Sequence, residues 1–75
     1  MRENLSKRDR AACETIGRKI REARKAARKT QVDVSKSLGI TQSHLSAIER
    51  GDATVGLRLV RIARALAVNP KELLP

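Results

Sequence analysis

Between Gln31 and Arg50 the apolar side chains fall at Val34, Leu38, Ile40, Leu45 and Ile48, with the small Ser35 among the first of them and Gly39 between the two halves. Val34 and Leu38 lie one helical turn apart, and so do Leu45 and Ile48. This spacing predicts two short helices, from about Gln31 to Leu38 and from Thr41 to Ile48, joined so briefly that they cross at a steep angle. Ser35 lets the backbones approach, Gly39 permits the tight left-handed turn, and the five aliphatic groups lock the pair. The second of the two is thereby held out from the body, with Gln42, Ser43, His44, Ser46 and Ala47 facing outward or sideways.

The flanking segments carry the same helical signals. Thr15 is a candidate cap for a first helix whose apolar residues recur at Ile16, Ile20, Ala23 and Ala27 and which ends near Arg28. Thr30, with Asp33 three residues on, approaches a capping box for the second helix, and Thr41 caps the third. Gly51 closes the third helix and residues 52–54 read as a loop. Val55, Leu59, Ile62, Ala63 and Leu66 then form the stripe of a fourth helix, with Leu57 and Val60 on its flank. Asn69-Pro70 opens a last turn that carries Leu73 and Leu74. Five helices and no strand result. Residues 1–13, rich in Lys and Arg and without a clear apolar stripe, form a basic arm, either flexible or a frayed helical extension, that touches phosphates or contributes only charge; residues 14–75 make the domain.

Seventy-five residues allow a single domain with a small core. That core contains no Phe, Tyr or Trp, which favours closely packed helices over a sheet sandwich and disfavours readers that stack single-stranded bases on rings. Lys and Arg number 17 against 8 Asp and Glu, a formal net charge of +9, the footprint of a polyanion partner. Cys13 is the only cysteine and His44 the only histidine, so neither an internal disulfide nor a Cys/His metal cluster is expected, and Cys13 reads as a small filler near a helix start. A single histidine, no paired acidic cluster and no nucleophile beside a base give no catalytic site, no cofactor and no small-molecule ligand. No apolar run is long enough for a membrane span, and no signal-peptide stretch is present. With one cysteine, the setting expected is a reduced cytoplasm.

The segment TQVDVSKSLGITQSHLSAIERG resembles the helix-turn-helix of the lambda-repressor-like, XRE-type family of phage and bacterial regulators. IGRKIREARKAARKTQ is similar to that family's first helix, and LVRIARALAVNPKELL to its fourth and fifth. The resemblance implies an all-α, compact five-helix lambda-repressor-like domain whose helices 2 and 3 form the helix-turn-helix. It also implies roles by position. Gln42 and Ser43 match the family's principal base readers, and Ser46 and Ala47 match positions facing the groove floor, with His44 beside them. A glutamine can pair with adenine N6 and N7, a serine hydroxyl suits several bases, and the Ala47 methyl can meet a thymine methyl. Gln31 matches a phosphate clamp at a helix N-terminus; Lys29, Lys36, Thr41, Arg50 and Arg58 are further phosphate candidates or simply solvated surface. Arg24 and Glu49 match an internal ion pair between the first and third helices.

The chain departs from the family where glycine and leucine commonly stand and it has Arg28 and Lys29. The left-handed turn and apolar plug are therefore expected to be absent, with the first helix ending differently or carrying charge into that corner. Ser35 replaces the usual alanine and needs a hydrogen-bond partner. The 52–54 loop is shorter than in many relatives.

The function implied is a sequence-specific transcriptional regulator on double-stranded DNA, a homodimer on a two-fold symmetric operator with half-sites about one turn apart. Val68, Leu73 and Leu74 are the dimer-patch candidates, core closure being the alternative for them. Control by the protein's own concentration is expected, as in small restriction-modification controllers, which it resembles in size. The competing reading is an antitoxin that binds DNA and a toxin; a histone-like coater, distinguished by its indifference to sequence, stands behind both.

Overall fold

The computed structural model describes residues 6–75 and contains, in order, α1 (Lys7–Ala26), α2 (Gln31–Leu38), α3 (Gln42–Arg50), α4 (Arg58–Leu66) and a 3-10 turn, Pro70–Leu73. No strand occurs among the described residues. The fold is all-α, with four helices among the described residues rather than five: the last element spans four residues closed by i to i+3 bonds, Glu72 N to Asn69 O at 2.9 Å and Leu74 N to Lys71 O at 3.2 Å. So short a segment gains nothing from α-helical bonding.

α1 begins well before Thr15. Its cap is Ser6, whose hydroxyl accepts from Asp9 N at 3.1 Å, while the Thr15 hydroxyl donates to the Ala11 carbonyl inside the helix. Helix-favouring Lys, Arg and Ala residues and the half-buried Ala12 and Cys13 extend the inward stripe toward the N-terminus. Residues 7–13 of the basic segment are thus helical, and residues 1–5 of it lie outside the described residues.

All four helices end alike. The residue after the last turn takes a left-handed conformation, and two backbone bonds return to the helix, as in Arg28 N to Lys25 O and Lys29 N to Arg24 O. Glycine fills the left-handed position after α2 (Gly39, φ 69°) and α3 (Gly51, φ 80°), but Arg28 (φ 58°) and Ala67 (φ 57°) fill it after α1 and α4. The left-handed turn expected to be missing at Arg28-Lys29 is therefore present, formed by an arginine at some cost in strain. The missing apolar plug is replaced by a polar tie, the Lys29 ammonium donating to the Ala65 carbonyl near the end of α4 at 2.9 Å.

α4 starts at Arg58 rather than at Val55, because Gly56 sits at φ 54°, outside helical geometry. The core is Ile20, Val34, Leu38, Leu45, Ile48, Ile62, Ala63, Leu66 and Leu73, with Ile16, Ala23, Ile40, Val55, Leu59 and Val68 packed against it. Leu73, 1% exposed, closes this core from the C-terminal turn and so does not belong to a surface patch. Val68 is half-buried and Leu74 exposed. Buried Ser35 finds its partner locally, donating to the Val32 carbonyl at 3.0 Å.

Two glycines set how α3 lies on α1. A Cβ on Gly17 would stand 2.3 Å from the Ile48 carbonyl oxygen and 2.7 Å from that of Glu49, and one on Gly51 would stand 2.7 Å from Glu14 Cα. Backbone therefore touches backbone along this crossing, which fixes α3 closely.

Candidate nucleic-acid interface

The segment from Thr30 to Arg50 is held by its own caps. Thr30 and Asp33 form a reciprocal box, Thr30 Oγ1 accepting from Asp33 N at 3.0 Å and the Asp33 carboxylate from Thr30 N at 3.0 Å. The backbone N–H of Thr30 foremost, then its hydroxyl, Lys36 and Lys29, holds the Asp33 carboxyl below its ordinary pKa. Thr41 caps α3, accepting from His44 N at 3.0 Å, and this turns Gln42 and Ser43 outward at the first exposed turn.

Beneath α3 lies a buried polar network. The Arg24 guanidinium meets the Glu49 carboxylate in a fork, Nε to Oε2 at 2.7 Å and Nη2 to Oε1 at 3.1 Å, and donates through Nη1 to the Lys29 carbonyl at 3.0 Å. Both residues are 8% exposed, and no buried side-chain N or O among the described residues lacks a partner. The same Glu49 Oε1 accepts from Gln31 Nε2 at 3.0 Å. A carboxylate can only accept, so Gln31 is turned with its amide nitrogen inward and its Oε1 toward Gln42 Nε2, 3.5 Å away. A chain of contacts thus runs from the α1 crossing through Glu49 and Gln31 to Gln42 on the outer surface.

Gln31, Gln42, Ser43, Ser46 and Arg50 line one open cavity of about 280 Å³. Five of the residues singled out in the sequence therefore share one surface. Ala47 is half-buried beside it. His44 faces the start of α4, its Nε2 3.5 Å from Arg58 Nη1. Thr41 is occupied as a cap, Lys36 sits on the exposed face of α2, and Lys29 is committed to the end of α4; none of these three lines the cavity.

Several contributors were not singled out in the sequence. Gly17 lacked any interpretation, although a lone glycine inside a strong helical pattern is itself a signal of close packing. Asp52 accepts from Arg50 Nε at 3.0 Å and pairs with Arg10 at 3.7 Å, an i, i+2 relation across a helix end that no periodicity announces. Arg61 Nη2 donates to the Leu38 carbonyl at 3.0 Å, satisfying the C-terminal end of α2 from α4. Among the described residues no helix is long and apolar enough to cross a membrane.

The model of the helix-turn-helix family matches residues 20–73. The chain is 45% identical over 67 residues to an uncharacterized HTH-type transcriptional regulator, y4dL, of Sinorhizobium fredii (strain NBRC 101917 / NGR234), a match taking in 83% of this chain and 34% of that protein. It thus spans about a third of the length of that relative. Among solved structures, the restriction-modification controller protein C.AhdI from Aeromonas hydrophila superposes with a TM-score of 0.78 at 30% identity, over 83% of this chain and 96% of that one. The clp gene regulator ClgR from C. glutamicum also gives a TM-score of 0.78, over 95% of this chain and 86% of its own, at 24% identity, a likeness of fold alone.

Proposed function

The chain belongs to the XRE-type helix-turn-helix family, and from that premise we propose that it is a sequence-specific transcriptional regulator that reads double-stranded DNA with the outer face of α3. The observation that carries this reading is the clustering of Gln42, Ser43 and Ser46 with Gln31 on one open surface of a chain with net charge +9. Such a surface supplies donors and acceptors at a helix start that stands clear of the core, and the excess of cations supplies attraction to phosphates.

In this reading Gln42 pairs with an adenine edge and Ser43 with the neighbouring base. Ala47 contributes a methyl contact, and His44, beside Arg58, sits at the margin of the groove. Gln31, oriented by Glu49, meets a phosphate with the positive end of α2 behind it; Thr41, Lys36 and Arg58 are the candidates for further phosphate contacts. The protein acts as a homodimer on a two-fold symmetric operator. Of the residues considered for the dimer patch, Val68 and Leu74 remain, Leu73 being internal. The C.AhdI likeness supports a controller-type role, exercised in the cytoplasm at the nucleoid.

Selection of bound sequences from a random duplex pool, run together with a mass measurement of the free protein, tests this. The expected result is a palindromic site bound at least a thousandfold more tightly than random duplex, on the order typical of specific readers. Gln42→Ala should relax the preference at one base pair per half-site at a cost of about 1–3 kcal/mol. Equal affinity for selected and scrambled duplex would refute the reading.

A further inference from the structure

Arg50 stands out from the other surface cations because two side chains, on either side of its guanidinium, hold it in place. Its Nε donates to Asp52 Oδ2 at 3.0 Å and its Nη1 to Ser46 Oγ at 2.6 Å. Asp52 is itself tied to Arg10 of α1 at 3.7 Å. Ser46 and Arg50 are one turn apart on α3, and Gln42 is one turn before Ser46, so the three share a single face. They line the same cavity.

A cation meant only for phosphate needs no such placement, since a phosphate accepts from many directions and a flexible side chain suffices. Reading a base edge does need it, because two parallel donors have to meet two acceptors in one plane. The bonds to Asp52 and Ser46 occupy Nε and one side of Nη1, and among the described residues the Nη1–Nη2 edge makes no further bond, which leaves donors for a partner outside the protein. Gln42 and Arg50 are eight residues apart on α3, about 12 Å of rise, which corresponds to roughly three to four base steps of duplex.

We propose that Arg50 reads a guanine in the major groove, through its O6 and N7, with Asp52 and Ser46 as positioning residues that hold the guanidinium edge toward it. The inference rests on the duplex-reading function proposed above. It assigns the Ser46 hydroxyl to orienting Arg50 rather than to a base of its own. The Arg50 and Asp52 side chains are 60% and 36% exposed, so the pair adds little to the stability of the free protein. Its effect lies in limiting the rotamers of Arg50 before DNA arrives, which lowers the ordering cost of the specific contact.

The test is the same random-pool selection, made with the wild type, Arg50→Lys, Arg50→Ala and Asp52→Ala, each first checked for an unchanged thermal transition. The wild-type site should contain a fixed guanine about three to four base pairs from the one lost in Gln42→Ala. Both Arg50 variants should lose roughly 5- to 150-fold of the preference at that base pair and keep the rest of the site. Asp52→Ala should weaken the same preference while binding random duplex as tightly as the wild type or more tightly, since a negative charge has gone. If Arg50→Lys keeps the full base pattern and Arg50→Ala weakens all sequences alike, Arg50 is a phosphate contact and the proposal is wrong. If the wild type selects no sequence, the duplex-reading function fails first and this inference with it.

Discussion

Replacing Gly17 with alanine sets two effects of known sign against each other. On helix propensity alone the change stabilises, because glycine inside a helix is less favourable than alanine by about 0.8–1.0 kcal/mol. The added Cβ, however, would lie 2.3 Å from the Ile48 carbonyl oxygen, and relief to an ordinary 3.4 Å contact needs a displacement of about 1.1 Å. The obstructing atoms are backbone of α3, so no side chain can swing aside and the helices themselves have to separate. Overpacking of this kind costs typically about 1–3 kcal/mol, and more where the obstruction is rigid. Net of the propensity gain, the overlap should win by up to about 2 kcal/mol, lowering the melting temperature by up to about 16 °C for a domain of this size. Separation also moves Glu49, and with it Arg24, Gln31 and the outer face of α3, by more than the roughly 0.5 Å that a recognition surface tolerates. Melting followed by circular dichroism, with operator binding measured well below the transition, reads both consequences. Gly39→Ala, which meets nothing within 4 Å and carries only the strain of φ 69°, is the control that should melt lower yet keep its site preference when folded. A Gly17→Ala protein that melts higher than the wild type, with its site preference intact, would show that the α1–α3 crossing is not what fixes the reading helix.

Arg28→Gly should stabilise the protein by about 0.5–1 kcal/mol, because glycine takes the φ of 58° found there without strain; a lower denaturation midpoint would refute this. Glu49→Ala should destabilise by about 3–5 kcal/mol by leaving Arg24 buried without its carboxylate, whereas Arg24→Met combined with Glu49→Leu should recover much of that loss in a double-mutant cycle. Asp33, whose pKa is lowered on folding, contributes stability that is present above its unfolded value and disappears as the pH falls through the folded one. Asp33→Asn should therefore flatten part of the acid-side loss in a pH series of denaturant midpoints, and an unchanged acid limb would count against the capping box. Lys29→Met should leave the salt dependence of operator binding unchanged while Arg58→Gln reduces its log–log slope by about 1.

The elements that the sequence made legible are those whose signals are local. α2 and α3 follow from aliphatic spacing, from caps at Thr30 and Thr41 and from glycines at 39 and 51, each a choice that one short stretch of chain determines. The elements misplaced are those where two local signals compete. The stripe of α4 continues backward through Val55, yet Gly56 at φ 54° ends the helix; Thr15 has a capping side chain, yet Ser6 caps first. Leu73 could not be assigned from its own stretch, because a leucine on a terminal turn looks the same whether it seals a core or a dimer. Only the packing of that turn against the core decides.

Charge is the property in which the total misleads most. A net +9 suggests a surface given over to a polyanion, but much of the cationic inventory faces the protein itself. Arg24 is buried against Glu49, and Lys29, Arg61 and Lys19 donate to the carbonyls of Ala65, Leu38 and Leu74. The last three sit where helices or turns end and carbonyls lack intrahelical partners, so a small core without aromatic rings is closed partly by lysine and arginine acting as tethers. The cations left to meet phosphates are then fewer than the 17 that the sequence counts. On the function proposed here, specificity comes from base-reading groups that internal bonds have already oriented, as Asp52 orients Arg50, while Gln31, held by Glu49, sets the register on the phosphates.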